Sequence, residues 1–334
     1  MSQQIRAAAG GHSRILGIGG YRPRTVVSND EMCARVDSSP QWIESRSGIR
    51  ERRFAQPDET LAVMAVAAAG KALAHAGAVP DQVDLVLVAS MSNLVQTPPL
   101  SVRVAEALGA RNAAGVDVSA ACAGFCHALA IASDAVSAGS ARHVLVIGTE
   151  RMTDIVDPLD RSVSVLFADG AGAAVVGPSP TPGIGPVVRG AAGRYEQALS
   201  MSASWDAFAA DPDPRRRPWM RMDGRRVFRW AMEEVAPQAR LALTAAGVEP
   251  AGLDVFVPHQ ANLRMIELMA ERLGLGAGTA IARDVVRSGN TSAASVPLAL
   301  EALLTAGTAS TGDTALLMGF GAGLNFAGQV VALP

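Results

Sequence analysis

GVDVSAACAGF, residues 115–125, reads as a short strand that ends in small residues and turns directly into a helix. RDVVRSGNTSAAS, residues 283–295, runs the same way, from valines through small residues into a second helix. The flanking segments match in the same order. VDLVLVAS at 83–90 corresponds to LDVFVPHQ at 253–260, and RHVLVIGTE at 142–150 corresponds to DTALLMGFG at 313–321. Residue identity between the two sets is weak. The repeat is one of pattern: a unit of alternating strands and helices that occurs twice.

Outward from these junctions, Val83–Ala89, Gly115–Val118, His143–Gly148 and Ala173–Val176 read as buried strands. Between them Glu59–Gly77, Leu100–Gly109 and Cys122–Gly139 read as helices. In the second half Asp254–Val257 and Thr314–Gly319 read as strands. Ala261–Gly274 and Ser292–Gly307 read as helices closing on glycine. Strands alternating with helices predict an α/β fold whose sheets are covered on both faces. PSPTPGIGP, residues 178–186, breaks helix and strand alike and predicts the joint. The expected halves are residues 1–180, with the cysteine-bearing junction, and 181–334, with its counterpart. Tyr195–Met222, which includes DPDPRRRPW, is too long for a plain connection and reads as a cap or entrance loop.

Composition agrees with a globular enzyme. The chain has 334 residues, long enough for two packed halves. Hydrophobic residues make up 49% and charged residues 18%, so a large core can form. A net charge of −2 with no long basic run argues against a nucleic-acid partner. Three cysteines without CxxC or Cys/His ligand spacing predict neither a disulfide framework nor a metal site. Met1–Gly11 lacks the apolar centre of a signal peptide, and the longest apolar run, Leu61–Gly70, is too short for a bilayer. A cytoplasmic protein without membrane contact is expected. No GxGxxG with an acidic partner and no Walker motif occurs, which disfavours hydride and phosphoryl chemistry.

Ligands in open α/β sheets collect at the carboxyl ends of strands. Cys122 lies at such an end. It is either a nucleophile, its thiolate favoured by the helix N-terminus, or a small buried thiol. Cys126, one turn later, reads as a core thiol, and Cys33 has no chemical context. His259 opens HQAN just past a strand: a hydrogen-bond donor, a base or an ordinary loop histidine. Asn290 is either a turn residue or an amide that stabilises negative charge. GFGAG at 319–323 offers backbone N–H groups. Arg46, Arg50, Arg52 and Arg53 crowd the segment after Trp42, and Arg215–Arg217, Arg225, Arg226 and Arg229 crowd another. Each cluster is either a solvated surface or part of a clamp on a nucleotide diphosphate.

Taken together and in order, DVSAACAGF (117–125), HQANLR (259–264) and GNTSAASVPLAL (289–300) resemble the β-ketoacyl-acyl carrier protein synthase III family. WIESRSGIRERR (42–53), DGRRVFRWA (223–231) and GFGAG extend the likeness over nearly the whole chain apart from a short N-terminal extension. The resemblance implies a thiolase fold, with two duplicated halves in an α-β-α-β-α arrangement, and a homodimer. It implies Cys122 as nucleophile and His259 with Asn290 as the pair that supports decarboxylation. The backbone N–H of Ala322 would join that of Cys122 in an oxyanion hole. Trp42, Arg46, Arg161, Gly224 and Phe228 match positions for an acyl-CoA thioester. Arg229 and Arg264 match basic positions facing an acyl carrier protein, and Arg272 is expected to add to them. The implied reaction condenses acyl-CoA with malonyl-acyl carrier protein and needs no cofactor.

Met91 and Thr97 fall at acyl-pocket positions. Thr97 replaces an aromatic of the familiar bacterial enzyme, which implies room for branched or longer acyl groups. TPPLSV (97–102), AGFCHAL (123–129), TERMTD (149–154) and MSASWD (201–206) resemble the branch that primes aromatic polyketide synthases. Three other functions share the fold. A degradative thiolase normally carries a second cysteine near its C-terminus, and none follows Cys126. A non-catalytic partner subunit usually lacks the nucleophile. A priming acyltransferase that hands the Cys122 acyl group to another acceptor would keep both Cys122 and His259.

Overall fold

The computed structural model describes residues 11–334. The expectations for the N-terminal extension, and for Met1–Gly11 as no signal peptide, fall almost wholly on residues 1–10, outside the described residues.

Two five-stranded sheets share one topology. The first runs Ala114–Val118, Leu85–Ala89, Val144–Arg151, Asp169–Ser179, His12–Tyr21 across its width. The first three strands are parallel, and the last two are added antiparallel. The second runs Ala280–Ile281, Val255–Pro258, Thr314–Gly321, Asn325–Ala332, Val188–Ala191, with the same sequence of parallel and antiparallel pairings. The repeat read from the sequence is thus a structural duplication.

Helices Gly124–Ser137 and Ser295–Thr305 lie between the sheets and pack on both. Helices Leu61–Ala76 and Leu100–Leu108 cover the outer face of the first sheet. Helices Ala236–Ala245 and Leu263–Leu273 cover the outer face of the second. The result is the α-β-α-β-α layering of the thiolase fold. The central position follows from composition: Phe125, Cys126, Ala128, Leu129, Ala130 and Ala132 leave almost no polar stripe on the first helix. A helix apolar on all sides is stable only where every side meets core. Leu61–Ala76 instead buries one alanine-rich face, Ala65, Ala68, Ala69 and Ala72, and is bounded by a Thr60 cap and left-handed Gly77.

Several sequence readings need correction. His12–Tyr21, Val188–Ala191 and Asn325–Ala332 are strands that local pattern did not reveal. Their stretches LGIGGY and NFAGQ are glycine-bearing, and strand form there is imposed by pairing with a neighbour. RDVVRSGN is not a strand: Val285–Ser288 is a short helix, and the equivalent strand is Ala280–Ile281. The strict counterpart of Cys122 is consequently Ala293. Ala121 (φ 46°) and Ser292 (φ 48°) occupy matching left-handed turns at Ala121–Ala123 and Ser292–Ala294. Asn290 stands three residues earlier, held by bonds from its N–H to Leu166 O (2.8 Å) and from Ala168 N–H to its carbonyl (2.9 Å). The Tyr195–Met222 region contains a small hairpin, Leu199–Met201 with Met220–Met222, and a helix, Trp205–Ala210.

The first arginine cluster does not act as a unit. Arg52 is fully buried and donates to Val27 O, Asn29 Oδ1 and Val165 O. Burial lowers its pKa to about 10. It ties a loop to the core, and only Arg46 of that group reaches the cavity described next.

Candidate active site

Cys122, His259 and Asn290 converge on one cavity of about 590 Å³, also lined by Trp42, Arg46, Arg161, Gly224 and Phe320. All three sit at the carboxyl ends of strands or at the junctions that follow them. Leu199 and Met222, from the hairpin, form part of its wall, which gives Tyr195–Met222 the entrance position expected of it.

Cys122 is buried in the turn ahead of helix Gly124–Ser137. Burial pushes its thiol up to about 12, reinforced by the charge of Glu150 and opposed by the nearby Ser292 hydroxyl and the backbone N–H groups of Cys122 and Ala322. The helix N-terminus does not by itself hold a resting thiolate, because desolvation outweighs it. The same backbone N–H groups, converging on Sγ, are placed to receive an oxyanion formed beside it.

His259 follows strand Val255–Pro258, and its N–H bonds Met318 O at 2.7 Å. Its ring meets Phe320 edge-on at 5.3 Å. Nδ1 lies 2.7 Å from Ser295 Oγ, which also accepts the Gln260 N–H at 3.3 Å. With the Ser295 hydroxyl donated to Nδ1, the ring proton sits on Nε2. Burial lowers the His259 pKa to about 3. The ring is therefore a neutral N–H donor at working pH and a poor base. Gln260 fixes this segment by bonds to Pro258 O (2.7 Å) and from Val285 N–H (3.1 Å).

Asn290 Oδ1 accepts the Ser292 N–H at 2.9 Å, which leaves its amide NH₂ as the end available to a ligand. Two neutral donors, His259 Nε2–H and Asn290 Nδ2–H, thus serve one cavity. Such a pair stabilises an enolate oxygen without carrying charge of its own.

Gly321 sets the tolerance of the site. A Cβ there would lie 2.7 Å from Cys122 Cβ and 2.9 Å from its Sγ. Gly321→Ala is expected to displace the thiol and destabilise the fold by about 1–3 kcal/mol. Acylation by a thioester substrate should fall more steeply than melting temperature. Unchanged single-turnover acylation in this variant would show that Sγ placement is not limiting.

The remaining predicted positions divide. Trp42 and Arg161 stack at the mouth, with Arg161 Cζ 5.3 Å from the ring centroid. Phe228, Arg229, Arg264 and Arg272 line an adjoining groove of about 520 Å³ that shares Arg46 and Gly224 with the cavity. Met91 and Thr97 do not line the cavity. Met91 is half-buried, and its N–H bonds Glu150. Thr97 is exposed on the loop before helix Leu100–Leu108. Glu150, Ser292 and Ser295 went unremarked in the sequence. The available signal was a carboxylate closing the apolar strand HVLVIG, and two hydroxyls inside SGNTSAAS. Among the described residues, no group of His, Cys, Asp and Glu is arranged to hold a metal ion.

Comparison with known proteins matches this geometry. Residues 116–193 match the family model 3-oxoacyl-[acyl-carrier-protein] synthase III, and residues 243–333 match the model of its C-terminal part. The chain is 58% identical to the β-ketoacyl-[acyl-carrier-protein] synthase III of Streptomyces lividans, over 96% of this chain and 95% of that one. It is 46% identical to the mycobacterial β-ketoacyl-[acyl-carrier-protein] synthase III of Mycobacterium tuberculosis, over 99% of each. The crystal structure of the priming β-ketosynthase from the R1128 polyketide biosynthetic pathway superposes with a TM-score of 0.97 at 56% identity, covering 99% of both chains. The synthase III from Aquifex aeolicus superposes at 0.89 with 36% identity, over 96% of this chain and 99% of that one. With matching family models, 58% identity over nearly the whole chain and the duplicated fold in place, this chain belongs to the β-ketoacyl-acyl carrier protein synthase III family of condensing acyltransferases.

Proposed function

We propose that this enzyme joins an acyl-CoA starter to malonyl-acyl carrier protein and so begins a fatty acid or polyketide chain. The convergence of Cys122 with the two neutral donors His259 and Asn290 carries this reading. The Cys122 sulfur attacks the acyl thioester, and the tetrahedral oxyanion is received by the N–H groups of Cys122 and Ala322. CoA leaves, and malonyl-acyl carrier protein enters the same cavity. His259 and Asn290 hydrogen-bond its thioester oxygen, carbon dioxide departs, and the enolate is held by the same two donors. The carbanion then attacks the Cys122 acyl carbonyl, giving a 3-oxoacyl product and freeing the sulfur. No step requires a metal or an organic cofactor.

Trp42, Arg46 and Arg161, with Gly224 and Phe228, are assigned to the CoA moiety, since a stacked aromatic–guanidinium pair suits a base and a phosphate chain. Arg229, Arg264 and Arg272, in the adjoining groove, are assigned to the acidic carrier protein. The likeness to the R1128 priming ketosynthase supports a polyketide starter role. The halves divide near residue 180. A cytoplasmic homodimer is the assembly we favour. Among the described residues, strand Ala114–Val118 pairs on one side only, and Val116, Val102, Leu94 and Val95 are exposed apolar residues. Thr97 belongs to that surface, so its acyl-pocket role, with Met91, requires the second copy.

Incubation with a panel of acyl-CoAs, followed by intact-protein mass spectrometry, tests this function. The expected result is an acyl adduct on Cys122 for one class of starter, discharged as a 3-oxoacyl product only when malonyl-acyl carrier protein is added. Discharge without malonyl would instead indicate a priming acyltransferase that passes the acyl group to another acceptor.

A further inference from the structure

Glu150, the penultimate residue of strand Val144–Arg151, is fully buried. Its carboxylate is caged by donors. Oε2 receives the Ser90 hydroxyl (3.1 Å), the Ser92 hydroxyl (2.5 Å) and the Ser92 N–H (3.0 Å). Oε1 receives the Ser292 hydroxyl (2.9 Å) and the Ala293 N–H (3.4 Å), and the Met91 N–H reaches both oxygens at 3.2 Å. Backbone N–H groups can only donate, so the cage is built for the ionised form. No cationic side chain among the described residues pairs with it: the neighbouring Arg151 turns to Asp154 at 3.2 Å. Burial without a cation pushes the Glu150 carboxyl above the usual range. The turn Ala121–Ala123 packs against the turn Ser292–Ala294, which sets the Ser292 hydroxyl beside the Cys122 thiol while it donates to Glu150. His259 is neutral, and its Nδ1 is committed to Ser295.

Granted the condensing function above, we propose that Glu150 stores the Cys122 proton through Ser292 while the enzyme is acylated. As Sγ attacks the thioester carbon, the thiol proton passes to Ser292 Oγ and the Ser292 hydroxyl proton passes to Glu150 Oε1. The Cys122 sulfur forms the new C–S bond, the C–S bond to CoA breaks, and CoA departs as a thiolate that takes a proton from water. The buried carboxylate's negative charge leaves with CoA, so the anionic malonyl group does not meet it beside Cys122. After carbon dioxide has left and the enolate has attacked, the Cys122 thiolate is expelled. It recovers its proton from Glu150 through Ser292, and the resting carboxylate returns. Ser292 touches the reacting sulfur; Glu150 acts through it as a positioning residue.

Proton uptake during a single acylation tests this, with the intact enzyme in weakly buffered solution near pH 7 and a pH indicator. CoA is a thiol of ordinary pKa, about 8.5. Wild type is expected to take up one proton per thiol acylated, and Glu150→Gln none, because its thiol proton must leave with CoA. Acylation in Glu150→Gln and Ser292→Ala should be slower by about 10²-fold and should rise with pH where wild type is flat. Wild-type acylation without proton uptake would overturn the proposal, as would full uptake in Glu150→Gln. If Glu150→Gln does not fold, wild-type uptake and the Ser292→Ala profile decide. Mass spectra of the same samples separate the two claims: no acyl on Cys122 refutes the condensing function, whereas acyl loading without uptake refutes only the role of Glu150.

Discussion

Cys122→Ala is expected to abolish covalent loading and to lower condensation by about 10⁴-fold or more, the scale on which acyl-transfer enzymes lose rate without their nucleophile. Geometry leaves no substitute. Cys126 is buried one turn on with its sulfur against Gly319, away from the cavity lining, and burial pushes its thiol up to about 12. Cys33 packs beside the cluster of Val27, Met32, Val36 and Ile43. The substitution removes one atom from a site that already tolerates alanine at the symmetry-related Ala293, so the fold should survive. Intact mass after exposure to the preferred acyl-CoA is the measurement. An adduct that persists on the variant would reassign the nucleophile.

His259→Ala and Asn290→Ala should separate the two half-reactions. Each removes one of two neutral donors to the enolate, and loss of such a donor costs about 10²–10³ in kcat. Acylation should change by only a few fold, because neither group takes the thiol proton. His259 is especially diagnostic. Its pKa of about 3 lies below the ordinary histidine value, so the imidazole is neutral through the whole working range and protonates only well into acid. The pH profile of malonyl decarboxylation should therefore show no limb from His259 near neutrality. Stopped acylation and malonyl decarboxylation, assayed apart, check both points. If His259→Ala loses acylation as deeply as condensation, the ring is acting as the base for Cys122 and its neutral assignment falls.

Motif order and pattern singled out three residues that the fold brings to one cavity. The repeated strand–turn–helix unit predicted a duplicated α/β fold, and HQAN with SGNTSAAS singled out the two donors. Spacing alone could not say whether Cys122 was a nucleophile or a core thiol, since a small residue at a strand end serves either purpose. The glycine-bearing strands at His12–Tyr21 and Asn325–Ala332 were illegible for a related reason: sheet neighbours impose their conformation, and a local window does not contain those neighbours. Arg52 shows the same limit. Four arginines in one segment read as a cluster, yet Arg52 is in the core, where its two terminal nitrogens donate to Asn29 Oδ1 and to two backbone carbonyls remote in the chain.

Chain order carries the residue types and the periodicities that build two equivalent halves, and so places Cys122, His259 and Asn290 near strand ends. It carries neither their protonation nor their orientation. Those follow from what folding packs around each group. Dry surroundings raise the Cys122 thiol and lower the His259 imidazole, and Ser295 engages Nδ1 so that Nε2 faces away from it. The Ser292 N–H turns the Asn290 amide so that its donor end is free. Glu150, 28 residues beyond Cys122 and 142 before Ser292, meets both only because the two central turns come together between the sheets. Desolvation and hydrogen-bond direction are properties of neighbours in space, and these neighbours exist only in the folded chain.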